Sequence, residues 1–355
     1  MNKFFCIFLI LLFISTTENV FSKNFTYDVN NVEIKSNINN SSTDKKITEL
    51  AFKKAFAIFI DKTLLKENAV NLYKTKPDTI KDLVLTYQII KKEKNDFNEL
   101  ISIFNIRFDP KKINNFLSEQ GIPYADISNI SLTVLPILIK DKDILLYEEN
   151  YFYKNWSKLK DTKINENEKS ISYNLALENI EDLEYIISNK KNVELIDVKK
   201  INSFNEDTNY ILLIIYYKEN TFKVFMKTSI ENKKVDRYLD FNLNSLNENK
   251  SYEEAILILK KEIVQIWKEQ NLIDVNTPSF LDFFLETKKN KDYLKLKSIL
   301  DSVDIIDNYS VLEMTNEYSK IRIKYKGKVN KIKDKLTERQ IKIKIVDNVW
   351  KLRIK

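Results

Sequence analysis

Lys324, Lys326, Lys328, Lys331, Lys333 and Lys335 place six ammonium groups within twelve residues, the sharpest charge feature of the sequence. They belong to a segment, Lys320 to Lys355, in which fourteen Lys or Arg stand against Asp334, Glu338 and Asp347. The whole chain carries +7, so residues 1–319 are net acidic and the molecule is polarised. Cations at this density hold anions: lipid headgroups or an acidic partner. The plain alternative is a solvated Lys-rich face produced by coding bias, since Lys, Asn and Ile are abundant and glycine occurs only twice, as in proteins of AT-rich bacteria.

Carboxylates are the other groups with chemical capacity. Asp141/Asp143 and Glu148/Glu149 are close enough in sequence for paired acid–base work, but they fall at a hairpin turn and a helix start. Solvation and the helix dipole explain them there. Asp141 lacks the ligand ladder and turn glycine of a calcium loop. Histidine is absent and the single cysteine, Cys6, lies in the first apolar run, so imidazole bases, thiol nucleophiles and ordinary zinc sites are not available beyond it. With only Gly121 and Gly327, a phosphate-cradling glycine loop is excluded. No catalytic residue, cofactor or metal is expected. Carboxylate-only or Ser-Lys catalysis survives only as a formal possibility.

The elements that must position these groups are readable from period and punctuation. Ile101 to Phe108 reads as a strand buried on both faces, and Asp109-Pro110 starts a helix with the stripe Ile113, Phe116, Leu117 and a cap at Gly121. Upstream come a strand or hairpin over Phe25–Lys35, a polar cluster Ser41–Asp44, a long helix through Ile47, Leu50, Ala51, Ala55, Ile58 and Phe59, a short helix at Asp78–Leu83 and a strand from Val84. Downstream, Tyr173–Ser188 reads as a helix with Leu175, Leu177, Ile180, Leu183 and Ile187 inward. Val193–Val198 follows, and then a meander over Tyr210–Tyr217, Phe222–Thr228 and Arg237–Leu243. Ser251 and Glu254 form a capping box for a helix whose core face is Tyr252, Ala255, Ile256, Leu259, Ile263, Ile266 and Trp267. The last eighty residues read β-α-β-β-α-β with a closing hairpin around Asp347-Asn348, the order of a ferredoxin-like module. The fold class expected is α+β, in two or three small α/β domains. Aromatic residues sit mostly at buried-period positions; the cluster Tyr151, Phe152, Tyr153 and Trp156 is read as packing, with a partner-binding patch as the alternative.

The order IRFDPKKINNFLSEQGIPY, then TVLPILIKDKDILLYEENYFYKNWSKL, resembles domain of unknown function 2066, found in bacterial envelope proteins. The matching features are Phe108-Asp109, Gly121 with Pro123, the Leu-Pro strand at Pro136 and the closing Trp156; Gly327 belongs to the same structural set. The resemblance runs more loosely from about residue 25 to the C-terminus and departs around residues 160–175. It implies an envelope location and is silent on activity. The middle of the chain is also similar in architecture to the small domains of TolB-like and curli-secretion-type envelope proteins.

Residues 1–22 are read as a secretory signal peptide: Lys3 is the basic flank, Phe4–Ile14 the apolar run, and Ser22 the small residue at the cut. No later segment is long and apolar enough to span a bilayer. The expected organisation is then 23–159 as an N-terminal α+β domain, 160–175 as a polar linker, 176–275 as an α/β domain and 276–355 as the basic ferredoxin-like module. Such a chain is expected in the periplasm of a Gram-negative bacterium, acting without catalysis by binding an envelope protein or anionic lipid headgroups through its basic module. Nucleic acid is not an expected partner, because export separates the two. A small-molecule or glycan site in a cleft between the first two domains is the alternative, and an enzyme ranks last.

Overall fold

The computed structural model describes residues 27–37, 44–97, 99–125, 130–159, 171–204, 209–243, 247–275, 279–286, 290–346 and 349–354. The signal peptide, most of the polar cluster at Ser41–Asp44, most of the linker and the turn Asp347-Asn348 lie outside these residues. The architecture is mixed α+β, and the described residues form three larger sheets with their own helices and one two-stranded pair.

The first sheet has the order β1 (Asp28–Asn37), β3 (Glu99–Phe108), β2 (Val84–Lys94). Of the strand or hairpin expected over Phe25–Lys35, the described residues form a single strand with a bulge, where Asn31 takes φ 56° and its amide donates to Asn105 Oδ1. Helix α1 (Asp44–Thr63) covers one face with Phe52, Phe56, Phe59 and Ile60, joined by Phe104, Ile106 and Phe108 from β3. The other face of β3 is only half-buried through Ile101, Ile103 and Asn105, so this strand is one-sided, not buried on both faces as its apolar content suggested. Two short helices, α2 (Lys66–Leu72) and α3 (Pro77–Leu83), close this core. Helix α4 (Pro110–Glu119) starts where expected, with Asp109 accepting from the Lys111 and Lys112 amides. It ends at Gly121, φ 65°, where the Ile122 amide reaches back to the Leu117 carbonyl.

The second sheet carries β10 (Lys233–Asn242), β9 (Thr221–Ile230), β8 (Tyr210–Lys218), β5 (Ile130–Lys140) and β6 (Asp143–Leu145), with β7 (Ile171–Leu175) also paired to β5. Strand β5 therefore belongs with the elements after residue 170, although the sequence grouped it with the N-terminal unit ending at residue 159. Its pairing with β8 is parallel, from Thr133↔Tyr210 to Lys140↔Tyr217, a contact between residues far apart in sequence. Strand β7 pairs with the first half of β5 and β6 with the second, leaving a gap at Pro136. A proline is tolerated in this central strand because no ladder bond is asked of it on the gap side. Asn150 fills the gap. Fully buried, it donates to the Pro136 and Leu145 carbonyls at 2.8 and 3.1 Å and accepts from the Phe152 amide at 2.8 Å, opening α5 (Tyr151–Asn155).

Two readings in this region are corrected. Residues 171–175 form β7, so the helix α6 spans only Ile180–Ser188, and Leu177 and Ile180, expected inside, are 82% and 74% exposed. The alternation Ile171, Tyr173, Leu175 fits a strand, and its pairing with β5 overrides the helical spacing. Val193–Leu195 and Val198–Lys200 form two 3-10 turns. Helix α7 (Glu248–Gln270) packs its predicted face, Tyr252 to Trp267, on one side of the sheet. Asn247, not Ser251, is its cap; Ser251 lies buried one turn inside. The other side of the sheet is covered by α6 and the two turns.

The third sheet has the order β13 (Ile306–Met314), β14 (Tyr318–Tyr325), β12 (Ser279–Glu286), β16 (Val349–Ile354), β15 (Ile341–Val346). Strand β16 runs parallel to β12 and lies between it and β15, with which it forms the predicted hairpin. Helices α8 (Asn290–Ser302) and α9 (Val329–Glu338) cover one face through Leu296, Leu300, Ile332 and Leu336. Gly327, at φ 93°, turns the chain from β14 into α9, and a Cβ there would meet Ile273 side-chain atoms at 3.4 Å. Among the described residues no helix is long and apolar enough to cross a membrane.

Candidate anion-binding face

The six lysines from Lys324 to Lys335 are not brought onto one surface. Lys335 is buried and ion-paired with Asp304 at 2.5 Å, and Asp304 in turn accepts, through its carbonyl, from Asn114 of α4. Lys326 is buried beside Asp307 at 3.5 Å, with Lys324 on the same carboxylate at 3.4 Å. Lys328 ties the module to the second sheet, reaching Glu231 at 3.2 Å and the Asn271 side chain at 2.8 Å. Lys331 is half-buried, and desolvation together with the neighbouring Lys335 charge pulls its amine down to about 7. Only Lys333 projects from the outer side of α9. The expected anion-binding helix face is thus corrected: of the six expected surface-binding lysines, Lys328 reaches the second sheet, while Lys324, Lys326 and Lys335 pair with carboxylates inside the module.

The free cations lie on the sheet face that the helices leave uncovered. Because strand side chains alternate, burying Ile341, Ile343, Phe283, Leu285, Ile321, Ile323 and Leu352 under α8 and α9 turns their neighbours outward. On β14 and β12 this outward set is largely neutralised. Arg322 grips Asp282 with two bonds at 2.7 and 2.8 Å, which holds that carboxyl below its usual range, and Lys320 lies 5.6 Å over the Phe284 ring. On the hairpin it is not. Lys342 stands directly opposite Arg353, and Lys344 opposite Lys351. All four are exposed, and among the described residues none has a hydrogen bond or ion pair. Like charges facing each other across a strand pair are destabilising. Beside this array, at the outer edge of β15, Lys333, Thr337, Gln340, Lys342 and Lys344 line a hollow of about 340 Å³.

The remaining marked residues are structural. Phe108 packs on Phe56 and Phe59. Asp109 and Gly121 bracket α4, and Pro123 directly precedes β4 (Tyr124–Ala125), which pairs with β11 (Leu272–Ile273). Trp156 is fully buried, with Lys260 5.4 Å from its ring centre and bonded to its carbonyl, so the aromatic cluster around it is packing. Asp141 is in the left-handed β5–β6 turn, and Glu148 and Glu149 sit in a 3-10 turn. A second hollow, of about 290 Å³, lies where α4 meets the third sheet, between Lys111, Asp301, Asp307 and Tyr309; the Lys111 ammonium is held there by the Asp301 carbonyl at 2.7 Å. Among the described residues, no three or more of His, Cys, Asp and Glu are grouped so as to hold a metal ion.

Sequence reasoning passed over two buried groups of consequence. Asp182, fully buried, accepts from the Asn202 and Ser203 amides and the Ser203 hydroxyl, clamping the loop after the 3-10 turns to α6. Lys268, also buried, donates to the Asp61 and Leu64 carbonyls at 2.5 and 2.9 Å, and desolvation lowers its amine to about 8. Both serve the scaffold.

No family model, curated protein or solved structure matches the chain. The resemblance to domain of unknown function 2066 therefore rests on the quoted residues alone.

Proposed function

We propose that this chain is an exported, non-catalytic protein of the bacterial cell envelope, related to the domain of unknown function 2066 proteins, that binds an anionic envelope partner or membrane surface through its C-terminal module. The module is read as a ferredoxin-like βαββαβ unit with one strand, β16, added between β12 and β15. The observation that carries the reading is the 2 × 2 array of Lys342, Arg353, Lys344 and Lys351. Four exposed cations in two like-charged rungs cost stability in the free protein, and a bound anion removes that cost. Coding bias accounts for many lysines but not for their sorting. Lys320 and Lys324 of β14 and Lys335 of α9 acquire acidic or aromatic neighbours, whereas the lysines of the hairpin do not. The test is co-isolation of the protein with cross-linked envelope fractions at low and high salt. Wild type is compared with a variant carrying Lys342→Gln, Lys344→Gln, Lys351→Gln and Arg353→Gln. Salt-sensitive capture lost in the variant is the expected result, and equal capture of both proteins refutes the proposal.

A further inference from the structure

Leu177, Leu195 and Ile180 are three of the four most exposed large apolar side chains among the described residues. Leu177 directly precedes α6, Ile180 opens it, and Leu195 lies in the 3-10 turn that follows. Helix residues three, four and seven apart share one side. Ile180, Glu184 and Ile187 therefore face outward together, with Glu181 beside them, opposite the buried Asp182 and Ile186. Glu178 and Glu184 are exposed, and among the described residues neither has an ion pair. From Ile171 to Ser188 this otherwise Lys-rich chain carries no lysine or arginine. The outer side of α6 is thus apolar and acidic at once, and an apolar patch left exposed and rimmed by charge marks a docking surface.

The uncovered face of the third sheet is its counterpart. In the parallel register Phe284 of β12 lies beside Lys351 of β16, and Phe280, on the same outward side, is 61% exposed. Lys351 and Arg353, backed by Lys344 and Lys342, therefore form a cationic column next to an aromatic one, which Lys320 borders on β14. Neighbouring strands are about 5 Å apart and a helix with its side chains is about 10 Å wide, so one helix covers both columns. Glu181 and Glu184, about 5–6 Å apart, match the separation of about 4.5–5.5 Å between facing cations. We infer that α6 of one molecule docks on this face of a second copy, its acids over Lys342, Lys344, Lys351 and Arg353 and its isoleucines over Phe280 and Phe284. This rests on the reading of the hairpin array as an anion-binding surface and names its partner. An anionic membrane would satisfy the cations but repel α6, and a basic partner would satisfy α6 but repel the array. A second copy satisfies both. The two surfaces differ, so the contact is head-to-tail, and association continues into a ring or an open chain.

Sedimentation velocity of the chain from Lys23 onward, which keeps every described residue, tests this over a range of micromolar concentrations. Three proteins are compared: wild type, the four-cation Gln variant, and an α6 variant with Leu177→Ser, Glu178→Gln, Ile180→Ser and Glu184→Gln. At low salt the mass of wild type should grow with concentration past the dimer, and it should return to monomer as the screening length shortens from about 10 Å to about 3 Å. Each variant alone should stay monomeric. An equimolar mixture of the two variants should form dimers and stop there, because one supplies the only intact helix face and the other the only intact sheet face. Monomeric wild type at every concentration overturns the inference, as does association that survives in the α6 variant. A variant mixture that stays monomeric while wild type associates overturns the head-to-tail contact. Monomeric wild type that is still captured from envelope fractions in a salt-sensitive way leaves the anion-binding reading intact, whereas loss of both refutes both. Circular dichroism of each variant separates lost association from lost folding.

Discussion

Lys268 allows the scaffold to be tested quantitatively. Its ammonium sits at the C-terminal end of α1, where unpaired carbonyls and the helix dipole favour a cation, yet burial lowers its pKa from 10.5 to about 8. A lysine with a depressed folded pKa binds fewer protons folded than unfolded between about pH 8 and 10.5. Stability therefore rises with pH through that window. With unfolded and folded values of 10.5 and about 8, the linkage contributes about 2 kcal/mol of added stability between pH 7 and 9.5. Lys268→Met keeps most of the apolar stem and removes both the proton equilibrium and the two bonds. Its cost should be about 1–3 kcal/mol near pH 7 and about 2 kcal/mol larger at pH 9.5. The assay is urea unfolding of both proteins at half-unit pH steps, taking the difference so that titrations common to both cancel. A Met variant whose deficit stays flat from pH 7 to 9.5 would show that Lys268 is not held in a desolvating site.

Other outcomes follow from single residues. Asn150→Ala leaves the Pro136 and Leu145 carbonyls and the Phe152 amide without their partner, and denaturant unfolding should show a loss of about 2–4 kcal/mol. Gly327→Ala forces a side chain into φ 93° against Ile273, and should lower stability by about 1–2 kcal/mol, measured the same way. Lys344→Glu puts an acid opposite Lys351, and should raise the stability of the free protein by a few tenths of a kcal/mol to about 1 while weakening anion binding. A variant that gains neither stability nor a binding defect would contradict the account of the array.

Much of this fold was legible because its signals are local. Asp109-Pro110 and Gly121 fix α4 at both ends, and strict alternation marks β14, β15 and β16. What misled were places where distant pairing decides. Ile171–Leu175 looked helical when joined to Leu177 and Ile180, but a strand partner, β5, was waiting forty residues upstream. The same β5 appeared to belong to the N-terminal unit because its partner β8 follows only after residue 209. Charge posed the same problem. Lysine spacing around Lys324–Lys335 suggested a binding face, whereas Asp304, Asp307 and Glu231, all distant in sequence from their lysines, consume it. The hairpin array was within reach: a turn at Asp347-Asn348 implies the register Lys344↔Lys351 and Lys342↔Arg353, and so two facing pairs of like charge. Asp182 and Lys268 left no comparable trace, since neither has a motif and their partners are backbone groups and a hydroxyl distant in sequence.

The most direct measurement is the salt dependence of capture on the cross-linked envelope fraction, for wild type and for the protein with Lys342, Lys344, Lys351 and Arg353 all changed to Gln. Wild type should be retained at low salt and released as ionic strength shortens the screening length from about 10 Å toward 3 Å, with the variant weakly held throughout. Retention of both proteins to the same degree at every salt concentration would contradict the claim that the hairpin array is the binding surface.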